Sequence, residues 1–265
     1  DYTSLASRRG LPSGVVVDCC ADVSTSILGH HPPPLAAALR EFVRRREHAF
    51  PFGLLFMKPT AQRFCAEIAT MAAEEAAMAA VAANDRSGDE LDDEALALAL
   101  RCESEPFTAK LMLSATDANE AAVRLCLVHW QRRRGARAAE AAAPIVLVVR
   151  GGACHGGSWL LGGLPTAAVR LVEMDIEELQ SAQALARRLT PDVAALLVEP
   201  VCSATGRVAV EGPAQAATLR RACARAGVPL IADETRCGLG RCGALLCAEA
   251  RGLAPAVTTL GDALV

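Results

Sequence analysis

Lysine is almost missing from this chain. Of its 27 basic residues only Lys58 and Lys110 are lysines, and the rest are arginine. Chemistry that needs a side-chain amine to form an imine therefore has two candidates. No apolar run reaches the roughly 18 residues of a membrane-spanning helix, so no span is predicted. No CxxC pair occurs among the 11 cysteines. That removes a common zinc spacing, and no metal site is predicted. The cysteines are odd in number, scattered through a long chain, and several sit in apolar runs. They read as buried thiols in a reducing, intracellular compartment, with cytoplasm and mitochondrial matrix both fitting. No signal-peptide pattern is visible at Asp1. A formal net charge of −3 gives no electrostatic reason to expect nucleic acid as a partner.

What is present is a globular composition, 52% hydrophobic and 22% charged over 265 residues, enough to bury a sizeable core. Val15 to Asp18 reads as a strand. Pro32, Pro33 and Pro34 open a helix running to about Arg46, because a first turn needs no amide donor. Thr60, a plausible N-cap, begins a second helical pattern to Ala83. Residues 84–105 carry eight acidic residues against two basic ones and read as a solvated insertion. From Lys110 the pattern alternates. Strands are expected at Lys110–Ser114, Ile145–Arg150, Val169–Val172, Ala194–Glu199 and Pro229–Asp233. Helices are expected at Asp117–Arg134, Ile176–Leu189 and Pro213–Ala226. The prediction is an α/β fold in three layers, a mostly parallel sheet with helices on both faces. In such sheets ligands gather beyond the carboxyl ends of the strands.

The polar motifs fall at those ends. Ser114-Ala115-Thr116-Asp117-Ala118-Asn119 joins a predicted strand to a helix. Its amides suit an anion, although Asp117 could simply cap the helix. Glu199 in Val198-Glu199-Pro200-Val201 and Asp233 in Ile231-Ala232-Asp233-Glu234-Thr235 each end an apolar run, where a carboxylate is costly without a partner. That partner is either a protonated ring nitrogen or the amides of a following helix. His129 and Trp130 read as core or rim residues, and His30-His31 as a turn rather than a metal pair. Arg44–Arg46 and Arg132–Arg134 read as solvated helix ends.

Together these segments resemble the class III, fold type I aminotransferases that use pyridoxal 5'-phosphate (PLP). Leu28-Gly29-His30-His31-Pro32 is similar to that family's Gly-His-x-His-Pro. Ser114 to Asn119 is similar to its Ser-Gly-Thr/Ser-Glu-Ala-Asn turn, and Cys154-His155-Gly156 stands where it has Tyr/Phe-His-Gly. Val198 to Ser203 matches Val-Glu-Pro-Val-Gln-Gly in part. Asp233 to Gly243 follows Asp-Glu-Val-Gln-Thr-Gly-Phe-Gly-Arg-Thr-Gly. The resemblance implies the PLP-transferase large domain over 60–265, incomplete and with the insertion at 84–105, preceded by an N-terminal α/β segment at 1–59. It implies that the C-terminal small domain, with its substrate-binding arginine, lies beyond Val265. It further implies PLP as cofactor, with a cofactor-binding set of Ala115, Thr116, Cys154, His155, Glu199, Asp233 and Arg236. The amides of Ala115 and Thr116 would hold the phosphate and Asp233 would pair with the pyridine nitrogen. Glu199 would support Asp233, Cys154 would lie over the ring, and Arg236 would lie near the ring hydroxyl. A homodimer or a place in a larger assembly is the implied quaternary state.

The departures are as informative as the matches. The family's Thr-Leu-Gly-Lys-Ala-Leu reads here as Thr259-Leu260-Gly261-Asp262-Ala263-Leu264. Asp262 thus stands where the imine-forming lysine belongs, and a carboxylate can neither form that imine nor replace its proton transfer. Neither Lys58 nor Lys110 falls at a matching position. The stacking aromatic is Cys154, the usual Gln is Arg236, a glutamate of some relatives falls at Ala204, and the turn glycine is Ala115. That last change is acceptable only where φ stays negative. The expectation is a catalytically inactive structural or regulatory subunit with no catalytic residue. The alternatives are an active transaminase of ω-amines or amino acids, represented by an altered or partial chain, and a module that binds PLP or phosphate noncovalently.

Overall fold

The computed structural model describes residues 32–45, 59–84, 107–135, 143–150 and 169–262. Two compact units divide the chain, 1–47 with 263–265, and 48–262. The expected strand at Val15–Asp18 and the acidic stretch after Asn84 lie outside the described residues, as do Cys154 and His155.

In the first unit, α1 (Pro33–Arg44) starts with proline at its first turn, as expected. Glu41 accepts from both Arg44 and Arg45. These two guanidiniums hold its carboxyl well below the usual range, at about 2.

The second unit opens with α2 (Pro59–Asn84). Thr60 lies inside this helix rather than capping it. Then come α3 (Ala115–Arg134), β1 (Ile145–Val149), β2 (Arg170–Met174), α4 (Ile176–Gln180), α5 (Ala182–Arg188), β3 (Val193–Val198), α6 (Pro213–Ala226), β4 (Leu230–Asp233), α7 (Cys247–Ala250) and β5 (Val257–Thr259). The five strands pair in the order β2-β1-β3-β4-β5, and every pairing is parallel.

The two-residue period of the strands builds a core on each face. Val146, Ala195, Leu197 and Ile231 point to one side and bury Ala122, Val123 and Cys126 of α3. Leu147, Val149, Leu196, Val198 and Ala232 point to the other, against Leu185 of α5, Leu219 and Cys223 of α6, and Ala248 of α7. This is the expected three-layer α/β arrangement. The central strand β3 is apolar throughout and buried at every position, as a strand covered on both faces must be. Edge strand β2 instead exposes Arg170 and Glu173, charges that discourage further pairing. Trp130 is buried as read, and its indole donates to Pro191 O at 3.0 Å.

Several elements differ from expectation, among them α7, which was not anticipated. Lys110–Ser114 is no strand: Met112 and Leu113 are exposed, and Ser114 is already committed to capping α3. The single helix expected over Ile176–Leu189 is two, because the Ser181 hydroxyl accepts from Ala184 N at 3.3 Å and starts a new helix. The three-residue β5 was not anticipated, being too short for a periodic signal.

Candidate functional site at the carboxyl ends of the strands

β3, β4 and β5 all deliver their carboxyl ends to one side of the sheet, and the amino end of α3 meets them there. The contact is tight at one point. A Cβ on Gly261, just past β5, would sit 2.6 Å from Ala115 Cβ and 3.2 Å from Thr235 Cβ. Only a residue without a side chain permits that approach. The sequence segments at 115, 235 and 261 are thereby brought together.

The first turn of α3 carries Ala115 and Thr116, whose amides fall at positions with no acceptor inside the helix. Ser114 caps the turn, accepting from Asp117 N at 3.0 Å and donating to Asp117 Oδ2 at 2.9 Å. Capping therefore belongs to Ser114, with Asp117 as its partner. Ala115 has helical backbone and is not among the positive-φ residues, so the change from glycine is tolerated.

Asp233 ends β4 at 1% exposure. Its Oδ1 accepts from Thr235 N at 3.0 Å and Thr235 Oγ1 at 2.7 Å, and its Oδ2 from Asn119 Nδ2 at 3.2 Å. Asn119 in turn accepts from Thr259 Oγ1 at 2.7 Å. One buried network thus ties α3, β4 and β5 together, and it offsets the cost of burying a carboxylate at a strand end.

A second network borders it. Glu199, buried just past β3, accepts from Ser203 N at 2.9 Å. Arg236 Nη1 reaches Ser203 Oγ at 3.5 Å, and Arg236 Nε donates to Asp262 Oδ2 at 3.0 Å. Both side chains of that ion pair are only partly exposed, 31% and 26%.

Glu234 points away from both networks. Its carboxylate accepts from Cys247 N at 2.6 Å and Ala248 N at 2.8 Å at the start of α7. Burial pushes this carboxyl up to about 7, against the downward pull of those two amides. Of the two alternatives for strand-end carboxylates, capping a following helix is thus the role of Glu234, one residue beyond Asp233.

Of the predicted site residues, Ala115, Thr116, Glu199, Asp233, Arg236 and Asp262 all lie at this end of the sheet. Cys154 and His155 are outside the described residues. Asn119, Thr235, Thr259 and Ser203 were not singled out from the sequence, although all four stand inside quoted motifs. The Arg236–Asp262 contact left one sequence signal: two departures from the family pattern carry opposite charges.

Residues 161–265 match the model of the family described as Aminotransferase class-III. This stretch is similar to class-III aminotransferase sequence. It carries Glu199, Asp233, Arg236 and Asp262, but not the α3 turn. Over nearly its whole length (94%) the chain is 27% identical to acetylornithine aminotransferase of Xanthomonas campestris, of which it covers 53%. A shorter stretch, 28% of the chain, is 41% identical to 4-aminobutyrate aminotransferase of Escherichia coli, covering 17% of it. Among solved structures, a transaminase from Virgibacillus superposes with a TM-score of 0.63 at 18% identity, over 94% of this chain and 52% of that one. Ornithine aminotransferase of Toxoplasma gondii gives 0.61 at 22% identity, over 94% and 52%. These establish the aminotransferase fold. The chain spans about half the length of these full-coverage relatives.

By this family resemblance the cofactor is PLP, and the residues present fit it unevenly. Buried Asp233 suits a protonated ring nitrogen, and the first-turn amides of α3 suit a phosphate. The third anchor does not fit. Asp262, which the resemblance places where the amine belongs, turns its carboxylate onto Arg236. No reaction step through the cofactor is derived on these residues.

Proposed function

We propose that this aminotransferase-family chain does not transaminate and acts as a structural or regulatory subunit of a protein assembly. The observation that carries this reading is the Arg236–Asp262 ion pair, Asp262 being the residue that the resemblance aligns with the family's lysine. An ion pair there supplies no nucleophilic amine and no base matched to proton transfer at carbon. The central strand β3, meanwhile, is buried at every position, which keeps the scaffold packed. A homodimer of the family type, in a reducing intracellular compartment, is part of the same proposal.

A second reading rests on the Asp233 network. A site that keeps a buried, hydrogen-bonded carboxylate beside a helix amino end favours noncovalent PLP or phosphate binding. In a full-length protein whose lysine comes from elsewhere, it favours transamination of ω-amines such as those named for the relatives.

The test is an absorbance titration with PLP, followed by borohydride reduction and peptide mapping. Free aldehyde that dialyses away agrees with the proposed loss of catalysis. A band near ~420 nm fixed by reduction onto Lys58 or Lys110 would overturn it. Saturable binding without fixation would favour the noncovalent module.

A further inference from the structure

The misfit at Asp262 also indicates what this rim does suit. Asp262 follows Gly261, where an added Cβ would sit 2.6 Å from Ala115 Cβ and 3.2 Å from Thr235 Cβ. Thr235 in turn donates to Asp233 from its amide and its hydroxyl. Asp262 is therefore one residue from the point where the first turn of α3 meets the Asp233 network.

Its carboxylate is held at one oxygen. Oδ2 accepts from Arg236 Nε at 3.0 Å. The same guanidinium reaches away through Nη1 to Ser203 Oγ at 3.5 Å. Among the described residues Asp262 Oδ1 accepts no hydrogen bond, and at 26% exposure the side chain is open to a small molecule. A carboxylate oxygen only accepts hydrogen bonds. An aldehyde oxygen also only accepts, so the two meet lone pair to lone pair. A hydroxyl offers one neutral donor. A primary ammonium offers three donors and the opposite charge, and charge-assisted bonds are roughly twice as strong as neutral ones.

We infer that Asp262 is a specificity residue, and that the site selects a phosphate ester bearing a primary ammonium, pyridoxamine 5'-phosphate, over the aldehyde and alcohol forms of the same compound. This rests on the noncovalent-binding reading above. An amine at this position would select the aldehyde by reacting with it, and a carboxylate reverses that choice. Asp262 Oδ1 accepts from the ammonium. Arg236 is a positioning residue that fixes Oδ2 and so sets the direction of Oδ1. No covalent bond to the ligand forms or breaks.

The experiment is equilibrium dialysis of the whole chain, at neutral pH and low salt, against the pyridoxamine, pyridoxal and pyridoxine 5'-phosphates, which differ in one substituent. The alcohol is the principal control, because it cannot react with Lys58 or Lys110. The expected result is a Kd for the amine roughly tenfold below those of the other two, the share of one charge-assisted hydrogen bond. Asp262→Asn should bring the amine and the alcohol to similar affinity. Equal binding of amine and alcohol by the wild type would overturn the inference and leave the noncovalent reading standing. A preference that survives Asp262→Asn would overturn the assignment to Asp262. Absence of saturable binding by all three would sink that reading and the inference with it.

Discussion

Arg236 Nε donates to Asp262 Oδ2 across 3.0 Å, joining the segment after β4 to the turn after β5. Both residues depart from the aminotransferase pattern, and each supplies the charge the other lacks. The two departures are thus paired in space, although the positions are 26 residues apart.

The pair's stability share is small. Partly exposed ion pairs contribute up to about 1 kcal/mol. A double-mutant cycle with Arg236→Gln and Asp262→Asn, read by urea denaturation, should give a coupling of that size. The double variant Arg236→Gln with Asp262→Lys returns an amine without facing a guanidinium. After PLP and borohydride, mapping should find a pyridoxyl group on residue 262, where the wild type has none. A wild-type chain labelled to the same extent at Lys110 would contradict this.

Asn119 is the hinge of the buried network, serving Asp233 and Thr259 at once. Asn119→Ala removes one hydrogen-bond partner from each inside the core. It should cost roughly 1 to 3 kcal/mol, since buried partners are lost although Asp233 keeps Thr235 and Thr259 keeps Ala232 O. The midpoint of urea unfolding should fall accordingly, and an unchanged midpoint would mean the network carries no stability.

Gly261 has no room for a methyl group against Ala115. Gly261→Ala should destabilise by about 1 to 3 kcal/mol through overpacking. Ala115→Gly removes the facing methyl, so the double variant should recover much of the loss. A Tm series on the four chains tests this, and failure of the rescue would place the strain elsewhere.

Glu234 makes stability depend on pH. Its folded-state value is raised to about 7 from 4.5, chiefly by burial. The folded chain therefore binds the extra proton between these values. Glu234's contribution is fully present below about pH 4.5 and is lost as pH rises through about 7. The shift corresponds to at most roughly 3 kcal/mol. Denaturation at pH 5, 6 and 7 should show stability falling with pH. In Glu234→Gln the curve should be flatter, though lower overall because an amide accepts from one backbone N–H where the carboxylate accepts from two. A parallel curve would reject the assignment.

By itself, the sequence determined the α/β class, the order of most elements and where their ends fall, because burial on a sheet imposes a two-residue period and helix ends need caps. It also carried the Asp262 exchange and the ordered motifs, since family patterns are local strings. The break at Ser181 was decided by one hydroxyl choosing a backbone amide. Lys110–Ser114 fails as a strand although it is apolar, because pairing depends on what lies alongside. Above all, only the tertiary structure decided partners. Asn119 with Asp233, Arg236 with Asp262, and Gly261 against Ala115 are separated by 114, 26 and 146 residues. A parallel sheet delivers its strand ends to one rim through long crossovers. Contacts at that rim have no sequence period to betray them.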